Sequence, residues 1–117
     1  MKGKNSMKNE ISKENAPEFT TLRPAADVED TATGVIISFE MPGVKSSDID
    51  IEAGNGMLKI EGKSSLCRRG VPVMFKRSFY ISDAVDVDKI SASAKDGVVT
   101  LKLPKVENAV PKKIKVN

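Results

Sequence analysis

The sequence predicts an all-β domain, a two-layer antiparallel sandwich, and three observations predict it. Short runs in the middle of the chain alternate apolar and polar residues with period two, as in Asp48-Ile-Asp-Ile-Glu52. Pairs that tolerate positive φ, Asn55-Gly56 and the Asp96-Gly97 of a Lys95-Asp-Gly turn, separate those runs. No segment sustains the 3.6-residue period of an amphipathic helix. A chain of 117 residues has the length of one domain. The organisation expected is a flexible N-terminal arm over 1–21, a sandwich over 22–104 and a C-terminal extension over 105–117.

The arm is polar and rich in Lys, Asn, Glu and Ser, with Phe19 its only aromatic. Such a segment buries too little apolar area to offset the entropy of ordering it. After Pro24 the pattern turns towards strands. Gly34-Val-Ile-Ile-Ser-Phe-Glu-Met41 is dominated by β-branched and aromatic residues, and Pro42-Gly43 closes it. In the run from Asp48 to Glu52, Ile49 and Ile51 face one way and the acidic residues the other. Asn55-Gly56 turns the chain into Met57-Leu-Lys-Ile-Glu-Gly-Lys63, with Leu58 and Ile60 inward. Residues 64–74 read as a connection broken by Gly70 and Pro72. Phe75 to Ile81 alternates again, and the acidic stretch from Ser82 to Lys89 suits turns, with one short helical turn at Val87-Asp-Lys89. Ile90 to Ala94 is a strand with small inward residues, and Val98 to Leu103 is the last long strand, stopped by Pro104. Seven or so short strands spaced by turns indicate an immunoglobulin-like sandwich. With 4% aromatic residues, its core must be built from Ile, Val, Leu and three phenylalanines. A core so thin gains from dimerisation, because small domains bury a smaller fraction of their surface.

Composition restricts the chemistry. Without histidine there is no common general base, no common metal ligand and no Ser-His or Cys-His pair. Cys67 stands alone, so neither an internal disulfide nor a metal-binding cysteine pair is expected. Gly54-Asn-Gly56 is a turn rather than a phosphate cradle. No catalytic residue, metal, cofactor or small-molecule substrate is therefore expected. The net charge of +3 sits on the tail: Lys105, Lys112, Lys113 and Lys115 face only Glu107 there. The eleven basic and twelve acidic residues of 23–104 leave the folded part near neutral, which argues against a nucleic-acid surface. No apolar run suggests a membrane span, and the first residues lack the apolar core of a secretory signal, so a cytoplasmic address is expected.

Four segments carry a resemblance. Glu40-Met-Pro-Gly-Val44 is similar to the acidic/apolar-Leu-Pro-Gly-Val turn of the α-crystallin domain of small heat-shock proteins, with Met41 in place of Leu. Asp48-Ile-Asp-Ile51 with Gly56-Met-Leu-Lys-Ile-Glu-Gly62 resembles the hairpin that follows it. Phe75-Lys-Arg77-Ser-Phe79 resembles the strand bearing that family's dimer-interface arginine. Ala92-Ser-Ala-Lys-Asp96-Gly97-Val98-Val99-Thr-Leu101-Lys-Leu103-Pro104 matches the pattern of Ala, three variable residues, Asn/Asp, Gly-Val-Leu, an alternating strand and Pro, with Val99 replacing Leu. The order and spacing of these segments, from about Leu22 to Val116, imply an α-crystallin-type sandwich. Arg77, set between Phe75 and Phe79, reads by itself as a snorkelling surface arginine or as an interfacial one. The resemblance implies the second, paired with a carboxylate across a dimer interface.

Ile114-Lys-Val116 resembles the family's terminal Ile-x-Ile/Val motif. Its two β-branched residues point to the same side of an extended segment. They read as one more strand, an unattached tail, or a hook captured at a sandwich edge of a neighbouring subunit. The resemblance implies the hook, and a groove for it between the strand of Ile49 and Ile51 and the strand of Ile90, Ala92 and Ala94. The roughly nine residues before Ile114, at about 3.3 Å each, reach about 30 Å, enough to leave one domain for another. Compared with the family, the arm is short and poor in aromatics. The 64–74 connection is short beside relatives that exchange a strand there, although Val71 to Met74 supplies a candidate strand. The function implied is an ATP-independent holdase that binds unfolding proteins and assembles through dimers and hooks. A CS-domain-like adaptor sandwich without holdase activity is the alternative; an adaptor is expected to be monomeric.

Overall fold

The computed structural model describes residues 18–107 and 113–117; most of the expected arm lies outside the described residues, as do 108–112 of the tail. Eight strands form in the described part: β1 (Thr20–Leu22), β2 (Ala26–Thr31), β3 (Gly34–Glu40), β4 (Val44–Gly54), β5 (Met57–Arg68), β6 (Val71–Tyr80), β7 (Ser91–Lys95) and β8 (Val98–Pro104). They make two four-stranded sheets, ordered β1-β6-β5-β4 and β2-β3-β8-β7. All pairings are antiparallel except β1 with β6, which run parallel from Thr20↔Val73 to Leu22↔Phe75. The end of the expected arm thus takes part in a sheet. Val87–Lys89 is a single 3-10 turn, capped by the Asp86 carboxylate accepting from the Asp88 amide.

The inward faces of both sheets supply the core: Ile37, Phe39, Met41, Leu58, Ile60, Val73, Phe75, Val99, Leu101 and Leu103. Alternation along β3, β5 and β8 delivers these residues to one side, as period two requires. Phe39 and Phe79 meet with ring centroids 5.6 Å apart and planes tilted by 58°, joining the two layers. Met41, where the sequence lacks the family's Leu, is fully buried. Its terminal methyl lies so close to Gly62 that a Cβ there would stand 2.5 Å from it, so the bare backbone of β5 makes room for the longer side chain. Pro42-Gly43 then turns over Ser64, whose hydroxyl donates to the Pro42 carbonyl (2.7 Å) and accepts from the Leu66 amide (3.0 Å).

Residues 64–74 do not form a separate connection. β5 and β6 continue as one long hairpin that closes at Arg68↔Val71. Its tip, Arg69-Gly70, carries φ values of 53° and 78°, the same pair of signs as Asn55-Gly56 (52°, 77°) and Asp96-Gly97 (52°, 81°). All three are two-residue hairpins with both central residues at positive φ, which type I′ demands. The sequence hides the third because arginine is a poor occupant of that conformation, and because Pro72 reads as a breaker. Pro72 is tolerated beyond a register shift between Lys63 and Cys67. Since an L residue in this region costs about 1–2 kcal/mol, Arg69→Asn is expected to raise unfolding stability by about 1 kcal/mol. Chemical denaturation checks this; an unchanged midpoint would mean the hairpin tip is not held in this geometry.

Candidate functional site

The strand order leaves β4 and β7 as the outer strands on one side of the sandwich. On β4, Ile49 and Ile51 point inward but are only partly buried, because no strand among the described residues continues the sheet beyond them. Facing them on β7 are Ala92 and Ala94, opposite Leu101 and Val99 of β8. Two methyl side chains cannot fill the seam. A groove of about 180 Å3 remains, lined by Ile49, Ile51, Ala92, Ala94 and Val99, with Ser46 and Ser93 completing it. Four of the five residues named from the sequence as groove-forming therefore come together.

Ile90 does not line the groove. It caps the 3-10 turn one residue before β7 begins and packs, partly buried, against the core. Ser46, Ser93 and Val99 line the groove without having been singled out. Val99 has the inward parity of Leu101 and was legible on that ground; the two serines carry no apolar signal.

The tail residues Ile114 and Val116 are exposed, at 87% and 89%, and neither contributes to the core of its own domain. Two apolar side chains with the i, i+2 spacing of an extended strand thus stand in solvent, on a chain with an unfilled apolar seam.

Arg77 lies on the other side of the sandwich. β1 ends opposite Phe75, and two residues further on the buried Pro24 turns its carbonyl to the Arg77 Nη1, which donates at 2.8 Å. The guanidinium carbon stands 4.9 Å from the Phe79 ring centroid, and the buried Nε has no hydrogen-bond partner among the described residues. Among the described residues the ion pairs are Lys76–Glu61 (3.8 Å) and Lys89–Asp86 (3.9 Å), so no carboxylate of the chain's described part pairs with Arg77. The Pro24 contact was not legible in the sequence, because a carbonyl acceptor leaves no trace in residue type. Beyond Arg77, where β1 no longer covers β6, Val28, Val35, Ile37, Phe79, Tyr80 and Val85 help line a second apolar groove of about 450 Å3.

Among the described residues no three His, Cys, Asp or Glu side chains converge as metal ligands, and no helix is long and apolar enough to cross a membrane. Cys67 is free and exposed on the β5–β6 hairpin.

Comparison with known proteins matches residues 27–117 to the model of the Hsp20/alpha crystallin family. Small heat shock protein C4 of Rickettsia felis is 28% identical over 126 residues, an alignment covering 97% of this chain and 77% of that protein. Among solved structures, heat shock protein 16.0 from Schizosaccharomyces pombe superposes with a TM-score of 0.65 at 29% identity, covering 82% of this chain and 98% of that one. A small heat-shock protein from Xylella fastidiosa, described as having a distinct high order structure, gives 0.63 at 27% identity, with coverages of 80% and 95%.

Proposed function

Because the chain belongs to the Hsp20/alpha crystallin family, we propose that it is an ATP-independent holdase of the cytoplasm that assembles with copies of itself and keeps unfolding proteins from aggregating. The observation that carries this is the coexistence of an open apolar seam between β4 and β7 with two exposed apolar residues, Ile114 and Val116, at the end of a tethered tail. Seam and hook fit each other chemically. The hook of one subunit enters the Ile49–Ile51–Ala92–Ala94 groove of another, and Arg77 meets a carboxylate of a second copy at the dimer interface. Clients are unfolding proteins, held through the apolar surface they expose. Neither nucleic acid, membrane nor small-molecule substrate is part of this function.

Hook binding of this size is weak and exchangeable one contact at a time. It becomes strong when several hooks act in one assembly, through effective concentration. Subunits can then leave on warming and uncover surface for clients.

The test is light scattering of a heat- or reductant-denatured client, with mass determined in parallel at two temperatures. At about one subunit per client, scattering is expected to fall by more than half. Undiminished scattering from an oligomer would refute the holdase, and a monomer without effect would favour the adaptor alternative.

A further inference from the structure

The charges bordering the groove are unequal on its two sides. On β4 the residues that alternate with Ile49 and Ile51 are Asp48, Asp50 and Glu52, all exposed. On β7 those that alternate with Ala92 and Ala94 are Ser91, Ser93 and Lys95. One margin of the seam is therefore acidic and the other neutral to basic. Within its own sheet the acidic margin meets a lysine at one end, where Glu52 stands across from Lys59, and an acid in the middle. Asp50 stands directly across from Glu61, a like-charge pair that disfavours the sheet, and the only lysine paired with Glu61 among the described residues is Lys76, on the far side. Asp48, Asp50 and Glu52 have no ion-pair partner among the described residues.

The tail carries the complementary pattern in the same period. Lys113-Ile114-Lys115-Val116 alternates charge with apolar bulk, and all four residues are exposed. In an extended segment, putting Ile114 and Val116 into the seam turns Lys113 and Lys115 outward. We infer that Lys113 and Lys115 of one subunit pair with the Asp48–Asp50–Glu52 row of another. The dock then has an electrostatic half as well as an apolar one, and the tail is drawn to the β4 margin rather than the β7 margin. This rests on the hook reading above and adds to it what selects the margin. It also gives the basic excess of the tail a destination on the folded domain, with no acidic polymer required. The pairs are exposed, so they weaken in salt.

The experiment compares full-length chains by sedimentation velocity at about 50 mM and about 500 mM NaCl. Lys113→Glu with Lys115→Glu is expected to weaken subunit association about tenfold at low salt, since exposed pairs are individually modest and reversal replaces attraction by repulsion. Adding Asp48→Lys and Asp50→Lys to that variant is expected to restore association, and high salt to narrow all the differences. Ile114→Ala with Val116→Ala serves as the control for the hook itself. If the apolar double variant loses assembly while the charge-reversed one does not, the hook stands and the electrostatic half is refuted. Loss on reversal without recovery in the fourfold variant likewise refutes it, because the lysines then act elsewhere. An apolar double variant that assembles like the parent overturns the hook reading and this inference with it.

Discussion

Replacing Ile114 and Val116 together by alanine is expected to reduce the assembly to dimers at micromolar concentration while leaving the unfolding midpoint of the domain unchanged. Burial of an isoleucine and a valine is worth about 1.5–3 kcal/mol each, and alanine retains only part of that. A loss of about 2–4 kcal/mol per hook follows, before any term for ordering the tail is counted. Because several hooks close one assembly, the deficit multiplies rather than adds in the equilibrium constant. The domain's own stability should not move, since both side chains are exposed and outside its core. Sedimentation and thermal unfolding on the same samples separate the two effects. A drop in the unfolding midpoint with no change in mass would mean that the tail braces its own domain and is not a hook. Ala92→Leu should reproduce the assembly defect from the other side, by filling the seam instead of emptying it.

Alternation marks Ile49 and Ile51 on one strand and Ala92 and Ala94 on another as sharing a face. That the two strands border one groove is implied by the family resemblance and not by the periodicity. Period-two patterns also located the inward residues of β5 and the strand β8, whereas β3 was marked by its β-branched and aromatic content. What stayed hidden has physical causes of a different kind. β2, Ala-Asp-Val-Glu-Asp-Thr, is an outer strand with an exposed Val28 and no apolar alternation, so only its ladder with β3 defines it. β1 has three residues, too few to show any period. The long β5–β6 hairpin was concealed by Pro72 and by an arginine in a conformation that usually signals Asn or Gly. Ile90 illustrates a limit of parity: it shares the face of Ala92, yet the 3-10 turn takes it out of the groove before the strand starts. The partner of Arg77 is a backbone carbonyl fifty-three positions away, and residue identities do not encode such contacts.

Arg77→Ala is expected to lower the unfolding free energy by about 2–3 kcal/mol and to broaden the oligomer distribution, and the two effects have separable origins. Within the chain, the guanidinium donates to the carbonyl of Pro24 and lies over Phe79. A hydrogen bond from a charged donor is worth about 1.5–3 kcal/mol, and the ring contact adds about 0.5–1 kcal/mol. The buried Nε, without a partner among the described residues, works against them. Removing the side chain also strands the Pro24 carbonyl beside a strand, β1, that is held to β6 by only three residue pairs. Faster hydrogen exchange at Thr20–Leu22 should therefore accompany the loss of stability, with little change in β3 or β8. Arg77→Lys keeps the charge but not the planar fork, and is expected to recover less than half of the lost stability. Arg77→Met keeps an unbranched apolar stem and removes the guanidinium's hydrogen bond and ring contact together, so it separates both from simple loss of side-chain bulk. If Arg77 also meets a carboxylate of a second copy, its loss leaves that carboxylate unpaired and desolvated at the interface, and sedimentation should broaden even under conditions where every variant is fully folded. Stability lost with an unchanged sedimentation profile would confine Arg77 to clamping the β1–β2 crossover of its own subunit and remove it from the dimer interface.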